Sequence, residues 1–298
     1  MNAGALTDQV AIGTRITVAA KAAGHSADAM LQQLAEVAGG LVDPVAWSDA
    51  DVRTFGVATA LADDKWLARR MASLATGISG SKALARAIVA RSGTLRIERM
   101  IGAGGTTAQG VDGVSASLEI TSAATLQDDV DAAIAIGVPE AIAPALARRL
   151  AAVQPDVARR PRLVRVTVYS NPAGRDSTIE LATELADLAN LRDPELAVTA
   201  AQLRLLERVH PILAAGQPVW VRCGVSAGAL DLGATLVYAN TPLDNAPRVV
   251  NGLATSEGAE LRFSTLVAAV AADRTSTIEL AIGPIDPIRL RVGLGVRA

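Results

Sequence analysis

The stretch Thr277-Ile-Glu-Leu-Ala-Ile-Gly-Pro-Ile-Asp-Pro-Ile-Arg-Leu-Arg-Val-Gly-Leu-Gly-Val296 decides the fold class. On each side of Gly283-Pro-Ile-Asp-Pro287 the side chains alternate with a period of two. Ile278, Leu280 and Ile282 fall on one face of the first arm, and Ile288, Leu290, Val292 and Leu294 on one face of the second. The intervening positions carry Glu279, Arg289 and Arg291. Alternation of this kind marks a half-buried strand, and a Gly/Pro cluster between two such runs marks a hairpin. The segment is therefore read as strands Thr277 to Ile282 and Ile288 to Val296 around a Pro-containing turn.

The same pattern recurs upstream. Val219 to Ser226 and Leu232 to Ala239 form a second hairpin across Ala227-Gly228-Ala229. Leu163 to Ser170 alternates Val164, Val166 and Val168 with Arg165, Thr167 and Tyr169. Thr94 to Ile101 and Val114 to Ile120 form a third pair, joined by the Gly-rich Gly102-Ala-Gly-Gly105. Between the strands lie helical patterns at about 125 to 153, broken near Pro139, and at 195 to 214, 245 to 256 and 259 to 272. Ser177-Thr-Ile-Glu180 has the form of a capping box, which predicts a helix over 178 to 190. Residues 1 to 91 read as helix after helix: one from an N-cap at Ser26 through Met30, Leu31, Leu34 and Val37, and one opened by Ser48 and Asp51 through Val57 and Leu61. Two more are read at Trp66 to Leu74 and Ser81 to Val89. The tally is seven strands, mostly adjacent in sequence, so the sheet is expected to be mainly antiparallel. The fold class is α+β, with paired strands alternating with helices, a helical N-terminal region (1–92) and an α+β region (93–298) that curls toward a barrel. The polar stretch Gln154 to Arg162 is the best candidate boundary within what reads as one compact unit.

Composition narrows the function. Half of the 298 residues are apolar, but only three Trp, two Tyr and two Phe are present, so the core is built from Ala, Val, Leu and Ile. Of 28 basic residues only Lys21, Lys65 and Lys82 are lysine. With the abundance of alanine, this points to a GC-rich, actinobacterial-like coding source and lowers the weight of any arginine cluster. The net charge of −2 is spread along the chain without a basic stripe, which argues against nucleic-acid partners. A single cysteine, Cys223, excludes an internal disulfide, and the two histidines, His25 and His210, stand in no metal-binding spacing. No metal or cofactor motif is found. Met1 to Val18 lacks the basic start and apolar run of a signal peptide, and no run of 18 apolar residues predicts a membrane span. The expected compartment is the cytoplasm.

The polar strand faces carry the candidate chemistry: Arg96, Glu98, Glu119, Arg165, Thr167, Tyr169, Trp220, Arg222, Glu279, Arg289 and Arg291. An antiparallel sheet with helices on one side leaves such a face in water. A sheet closed on itself instead gathers it around a cavity. In that geometry Arg96, Arg165, Arg222, Arg289 and Arg291, with Tyr169 and Trp220, form a ligand-binding set for a phosphate, diphosphate or carboxylate through forked hydrogen bonds. Glu119 and Glu279 are then the candidates for a catalytic base or for holding a cation. Gly77-Ile-Ser-Gly-Ser-Lys82 lacks the spacing of a phosphate-binding loop and reads as a helix-to-helix turn. Cys223 shares the aliphatic side of its strand with Val221 and Val225 and reads as a small buried hydrophobe. His210, next to Pro211, reads as a packing residue.

The order of helices and strand pairs resembles that of aromatic prenyltransferases with an antiparallel αββα barrel. The resemblance covers residues 94 to 298 and is nearest at Thr277 to Val296, with its Pro-containing turn and Arg289 and Arg291. It implies a ring of strands, ten in that family against seven counted here, around a lumen whose basic residues hold an isoprenoid diphosphate. Its lumen is lined with aromatics and includes lysine and tyrosine contacts to the diphosphate, where this chain offers arginine. A second resemblance, to type VII secretion chaperones, rests on Trp66-Leu-Ala-Arg-Arg70 and on Ala85-Arg86 through Ala90-Arg91-Ser92. The first implies a small-molecule enzyme or binding protein for an anionic metabolite, with group transfer as its chemistry. The second implies a non-catalytic chaperone or scaffold for a partner polypeptide. Neither involves a membrane, and a homo-oligomer is compatible with both.

Overall fold

The computed structural model describes residues 3–24, 26–28, 31, 41–52, 54–60, 94–101, 111–120, 125–135, 137–156, 162–171, 174–214, 216–226, 228–253, 257–272, 275–284 and 288–296. Within 94–120 and 162–177 it describes the backbone only. Among the described residues, ten strands alternate with helices in chain order. They are β1 (Val42–Asp49), β2 (Phe55–Ala60), β3 (Thr94–Ile101), β4 (Val111–Ile120), β5 (Arg162–Asn171), β6 (Gly174–Glu184), β7 (Val219–Ser226), β8 (Ala229–Ala239), β9 (Thr275–Ile282) and β10 (Arg289–Gly295). The helices are α1 (Ala3–Ala22), α2 (Leu126–Ala135), α3 (Ala143–Val153), α4 (Ala200–Ala214), α5 (Ala246–Leu253) and α6 (Ala259–Val270).

Each strand pairs antiparallel with its neighbours in sequence, and β1 pairs with β10 to close the ring. The closing register sets Ala46 opposite Leu294, Trp47 opposite Gly293 and Asp49 opposite Arg291. The strands on either side of the 154–162 stretch belong to the same sheet, because β5 pairs with both β4 and β6.

The aliphatic strand faces point outward and are covered by helices. Val221, Cys223 and Val225 of β7, Leu236 and Tyr238 of β8, Ile278 and Leu280 of β9 and Leu290, Val292 and Leu294 of β10 are buried in one cluster. It also holds Leu146 and Leu150 of α3, Leu206 and Leu213 of α4, and Phe263 and Leu266 of α6. The main apolar core thus lies between the helices and the barrel wall, and the intervening polar positions face the lumen.

Two corrections follow from this arrangement. The segment opened by Ser48 is not a helix but the hairpin of β1 and β2. Its polar residues build the turn instead of an N-cap. The Ser48 hydroxyl donates to the Thr54 carbonyl over 3.0 Å. The Asp49 carboxylate accepts from the Thr54 amide and hydroxyl at 3.2 and 3.0 Å, and Val52 turns the chain at φ 55°. The helix expected over 178 to 190 is likewise strand β6 through Glu184. Only a 3-10 segment, Leu188–Arg192, follows, capped by the Asp187 carboxylate accepting from the Ala189 amide at 2.8 Å. With β1, β2 and β6 the expected seven strands become ten. The run from Ser26 makes a helical bond from Leu31 N to Ala27 O at 2.8 Å. Its continuation, the expected helices at 66–74 and 81–89, the 77–82 loop and the 102–105 connection lie outside the described residues.

At one rim of the barrel β8 and β9 approach so closely that a Cβ on Gly233 would strike the Ile282 carbonyl. Gly283 answers with φ +147°, a conformation that L side chains rarely adopt. We expect Gly233→Ala to destabilise the fold by about 1–3 kcal/mol through overpacking, read as a lowered urea midpoint with unchanged slope.

Candidate functional site

Arg222 is the hub of the lumen. Strand β7 holds it opposite Ala182 of β6 and Thr235 of β8, and its side chain is 7% exposed. Nη1 lies 3.2 Å from Oε2 of Glu180 on β6, and Nη2 lies 2.7 Å from Oε1 of Glu279 on β9. The second oxygen of Glu279 lies 3.8 Å from Nη1 of Arg291 on β10. The Arg291 guanidinium is stacked in turn on the Trp47 indole of β1, with Cζ 3.9 Å from the ring centroid. A chain of five side chains, Glu180–Arg222–Glu279–Arg291–Trp47, therefore spans the wall from β6 to β1, alternating in charge until it ends on an aromatic face. Charges this buried are tolerated only when paired, and a guanidinium is suited to hold two carboxylates at once.

Beside this chain opens a cavity of about 440 Å³, lined by Glu180, Arg222, Asp231, Thr235 and Arg289 together with the backbone of Gly224, Gly233 and Gly283. A register shift between Cys223 and Val225 bulges β8 at this point. The bulge carries the Asp231 carboxylate across Gly224, where a Cβ would collide with it. From outside the barrel, the buried Arg149 of α3 donates to the Asp231 carbonyl and anchors the bulge. Arg289 stands exposed at the cavity's edge, opposite Ala281.

The structure brings four of the expected site residues near one another: Arg222, Arg289, Arg291 and Glu279. Trp220, half-buried, sits one alternation from Arg222, opposite Glu184 and Val237. Arg96, Glu119, Arg165 and Tyr169 are placed by register only. Arg165 is opposite Ser117 and Glu180, Tyr169 opposite Gly113 and Asp176, Arg96 opposite Ala60 and Ser115, and Glu119 opposite Leu163. Their side chains lie outside the description. Sequence reasoning missed Glu180, assigned to a helix cap, and Trp47 and Asp231, which it did not single out. For Glu180 and Trp47 the signal was present as alternation: Thr178 and Glu180 against Ile179 and Leu181, and Val45, Trp47 and Asp49 against Ala46 and Ser48.

The other ionisable groups of interest lie outside the lumen. Cys223 is buried on the helix-facing side, and burial pushes its thiol up to about 12. His210 of α4 and the Tyr238 hydroxyl are 3.1 Å apart beneath the helices. Burial holds the imidazole below its ordinary value, with Asp187 pulling the other way, and burial raises the Tyr238 phenol. Because the folded value of His210 is depressed, its neutral form stabilises the fold above the unfolded value, and that contribution is lost as the pH falls through the folded one. Among the described residues no cluster of three His, Cys, Asp or Glu side chains is placed to hold a metal, and no helix is long and apolar enough to cross a membrane.

No protein-family model matches the sequence, and no curated protein matches it. Solved structures do match the fold. 6-Dimethylallyltryptophan synthase from Micromonospora olivasterospora, in complex with DMASPP and Trp, superposes with a TM-score of 0.62 at 13% identity over 96% of each chain. The prenyltransferase PriB, in ternary complex with L-tryptophan and dimethylallyl thiolodiphosphate, gives 0.57 at 16% identity over 96% of this chain and 95% of its own. AnaPT from Neosartorya fischeri gives 0.50 at 11% identity over 85% and 77%. The chain has the closed αββα barrel fold of these aromatic prenyltransferases; at such identities the likeness is one of fold.

The ion-pair chain yields a stability contrast. Arg222→Ala, which removes the partner shared by the partly buried Glu180 and Glu279, is expected to cost about 3–5 kcal/mol in urea unfolding, whereas Arg289→Ala is expected to leave the midpoint unchanged. A second measurement concerns Cys223. With its thiol buried and raised to about 12, it is expected to resist maleimide at pH 8 in the folded protein and to react at once in denaturant.

Proposed function

We propose that the barrel lumen binds a small diphosphate-bearing metabolite and that the protein transfers the isoprenoid group of that metabolite to an aromatic acceptor. The observation that carries this reading is the guanidinium pair at the 440 Å³ cavity, Arg222 inside and Arg289 at the edge, on a closed αββα barrel. The fold likeness supports the choice of donor and acceptor, since two of the matching structures hold a dimethylallyl diphosphate analogue together with tryptophan, as their names state.

In this reading the diphosphate lies against Arg289 and the outer edge of Arg222, each donating forked hydrogen bonds to its oxygens. The carbon–oxygen bond to the isoprenoid breaks with its electron pair leaving on the diphosphate. The acceptor carbon supplies the new bond and loses a proton. Arg289 binds and orients the leaving group, and Arg222 stabilises the charge that develops on it. Glu279, held between Arg222 and Arg291, serves first to fix those two cations. The proton lost by the acceptor carbon passes to the departing diphosphate.

Isothermal titration with inorganic pyrophosphate is the direct test. Arg289→Ala is expected to weaken binding about tenfold, the loss of one or two charge-assisted hydrogen bonds, without moving the melting temperature. Raised salt is expected to weaken binding in both proteins, and less in the variant. Pyrophosphate binding that is absent, or indifferent to Arg289, would remove the donor-site assignment. Pyrophosphate release from dimethylallyl diphosphate in the presence of an indole acceptor then separates a transferase from a protein that only binds.

A further inference from the structure

Between Cys223 and Val225 of β7 stands only Gly224, whereas β8 sets Asp231, Leu232 and Gly233 between the corresponding partners Leu230 and Ala234. These three residues belong to neither ladder of β8, since pairing with β9 starts only at Ala234, opposite Ile282. Their backbone therefore needs another hold, and one comes from outside the barrel. Arg149 of α3, a helix packed against β6 and β7, donates from Nη1 to the Asp231 carbonyl. Arg149 is 8% exposed, on a helix whose Leu146 and Leu150 belong to the apolar core, and its Nε is buried without a hydrogen-bond partner. A methionine or leucine would fill that place at less desolvation cost. What the guanidinium adds is its grip on the bulge. On the lumen side the same bulge lays the Asp231 carboxylate across Gly224, close to the Glu180 stem. The three charges converge on one point of the wall: after burial itself, they are what shifts the Cys223 thiol, Arg149 downward and the two carboxylates upward.

We propose that Arg149 is a positioning residue whose grip on the bulge keeps the Asp231 carboxylate at the cavity, and that Asp231 thereby sets how strongly the lumen binds anions. This rests on the reading given under Proposed function. Of the charges lining the cavity, Arg222 and Arg289 attract an anion, and Glu180 and Asp231 repel it. Glu180 is committed to Arg222, whereas Asp231 stands where the bulge puts it. Two guanidinium groups alone would hold any phosphate. A carboxylate beside them lowers the affinity of every anion, so that only ligands with further contacts in the lumen stay bound. Arg149 acts solely through Asp231, from the far side of the wall.

The test is calorimetric titration of the whole chain with inorganic pyrophosphate, with melting temperatures read alongside. Asp231→Asn is expected to tighten binding about five- to tenfold, the effect of removing one like charge near a wet surface. Arg149→Met is expected to tighten it by a similar factor, and the double variant no further than either alone. Arg149→Lys, which keeps the charge and a donor, is expected to stay near the wild-type affinity. A mere packing defect would loosen the site, so a gain that vanishes once Asp231 is neutral separates positioning from structure. If Arg149→Met does not fold, Arg149→Gln, neutral and shorter, carries the same cycle. Either variant, folded, that binds pyrophosphate no more tightly than wild type, or whose gain adds to that of Asp231→Asn, overturns the inference and leaves the proposed function standing. An Asp231→Asn affinity no higher than wild type overturns it as well. Pyrophosphate that binds none of these proteins removes the proposed function itself, and this inference with it.

Discussion

The pairing of β1 with β10 is the constraint from which the rest of the molecule follows. Ten strands that alternate apolar and polar side chains can bury the apolar face beneath helices and leave the polar face in water, as open antiparallel sheets do. Such a sheet would also keep two unpaired edges. Closing the ring removes both edges and moves the polar face indoors. Once indoors, each charge needs a partner, and the chain Glu180–Arg222–Glu279–Arg291 supplies partners strand to strand. The ion pairs are thus a consequence of closure, and one of them links strands that share no backbone ladder: β7 to β9 through Arg222 and Glu279, across β8.

How much of this was legible in the sequence depended on whether a segment's strongest local signal was also the one used in the fold. The hairpins from Val219 to Ala239 and from Thr277 to Val296 were plain, because their alternation and their glycine-bearing turns agree. The hairpin of β1 and β2 was hidden, because Ser48 and Asp51 have the spacing of a helix cap. In the fold the Ser48 hydroxyl goes to the Thr54 carbonyl, so the same short-range polar chemistry closes a turn. Strand β6 was obscured in the same way. Thr178 spends its hydroxyl on Ser226 across the sheet at 3.2 Å, and Glu180 spends its carboxylate on Arg222. These partners lie more than forty residues away, where local pattern reading does not reach.

The candidate site shows a similar split. Arg222, Arg289, Arg291 and Glu279 could be named because alternation fixes the face of a strand on which a residue stands. Which of them touch could not, since that depends on strand order and register around the ring. Trp47 illustrates the limit. It lies some 240 residues from Arg291 in the chain, and only the β1–β10 closure brings the two together. The poverty in aromatic residues also acquires a structural meaning. The outer core is filled by Leu, Val, Ile and Ala with Phe55, Phe263 and Tyr238, while Trp47 and Trp220 are spent on the polar side of the wall.

On the proposed reading, the pairing of Arg222 with two carboxylates also constrains which anions the lumen would hold. A carboxylate ligand offers Arg222 nothing that Glu180 and Glu279 do not already provide, and it must still be stripped of water to enter. A diphosphate carries more charge and more acceptor oxygens. Arg289 forms no ion pair with any described residue and is exposed. On the proposed reading the internal counterions act as a threshold: a ligand must exceed the charge density of a single carboxylate to compete with them.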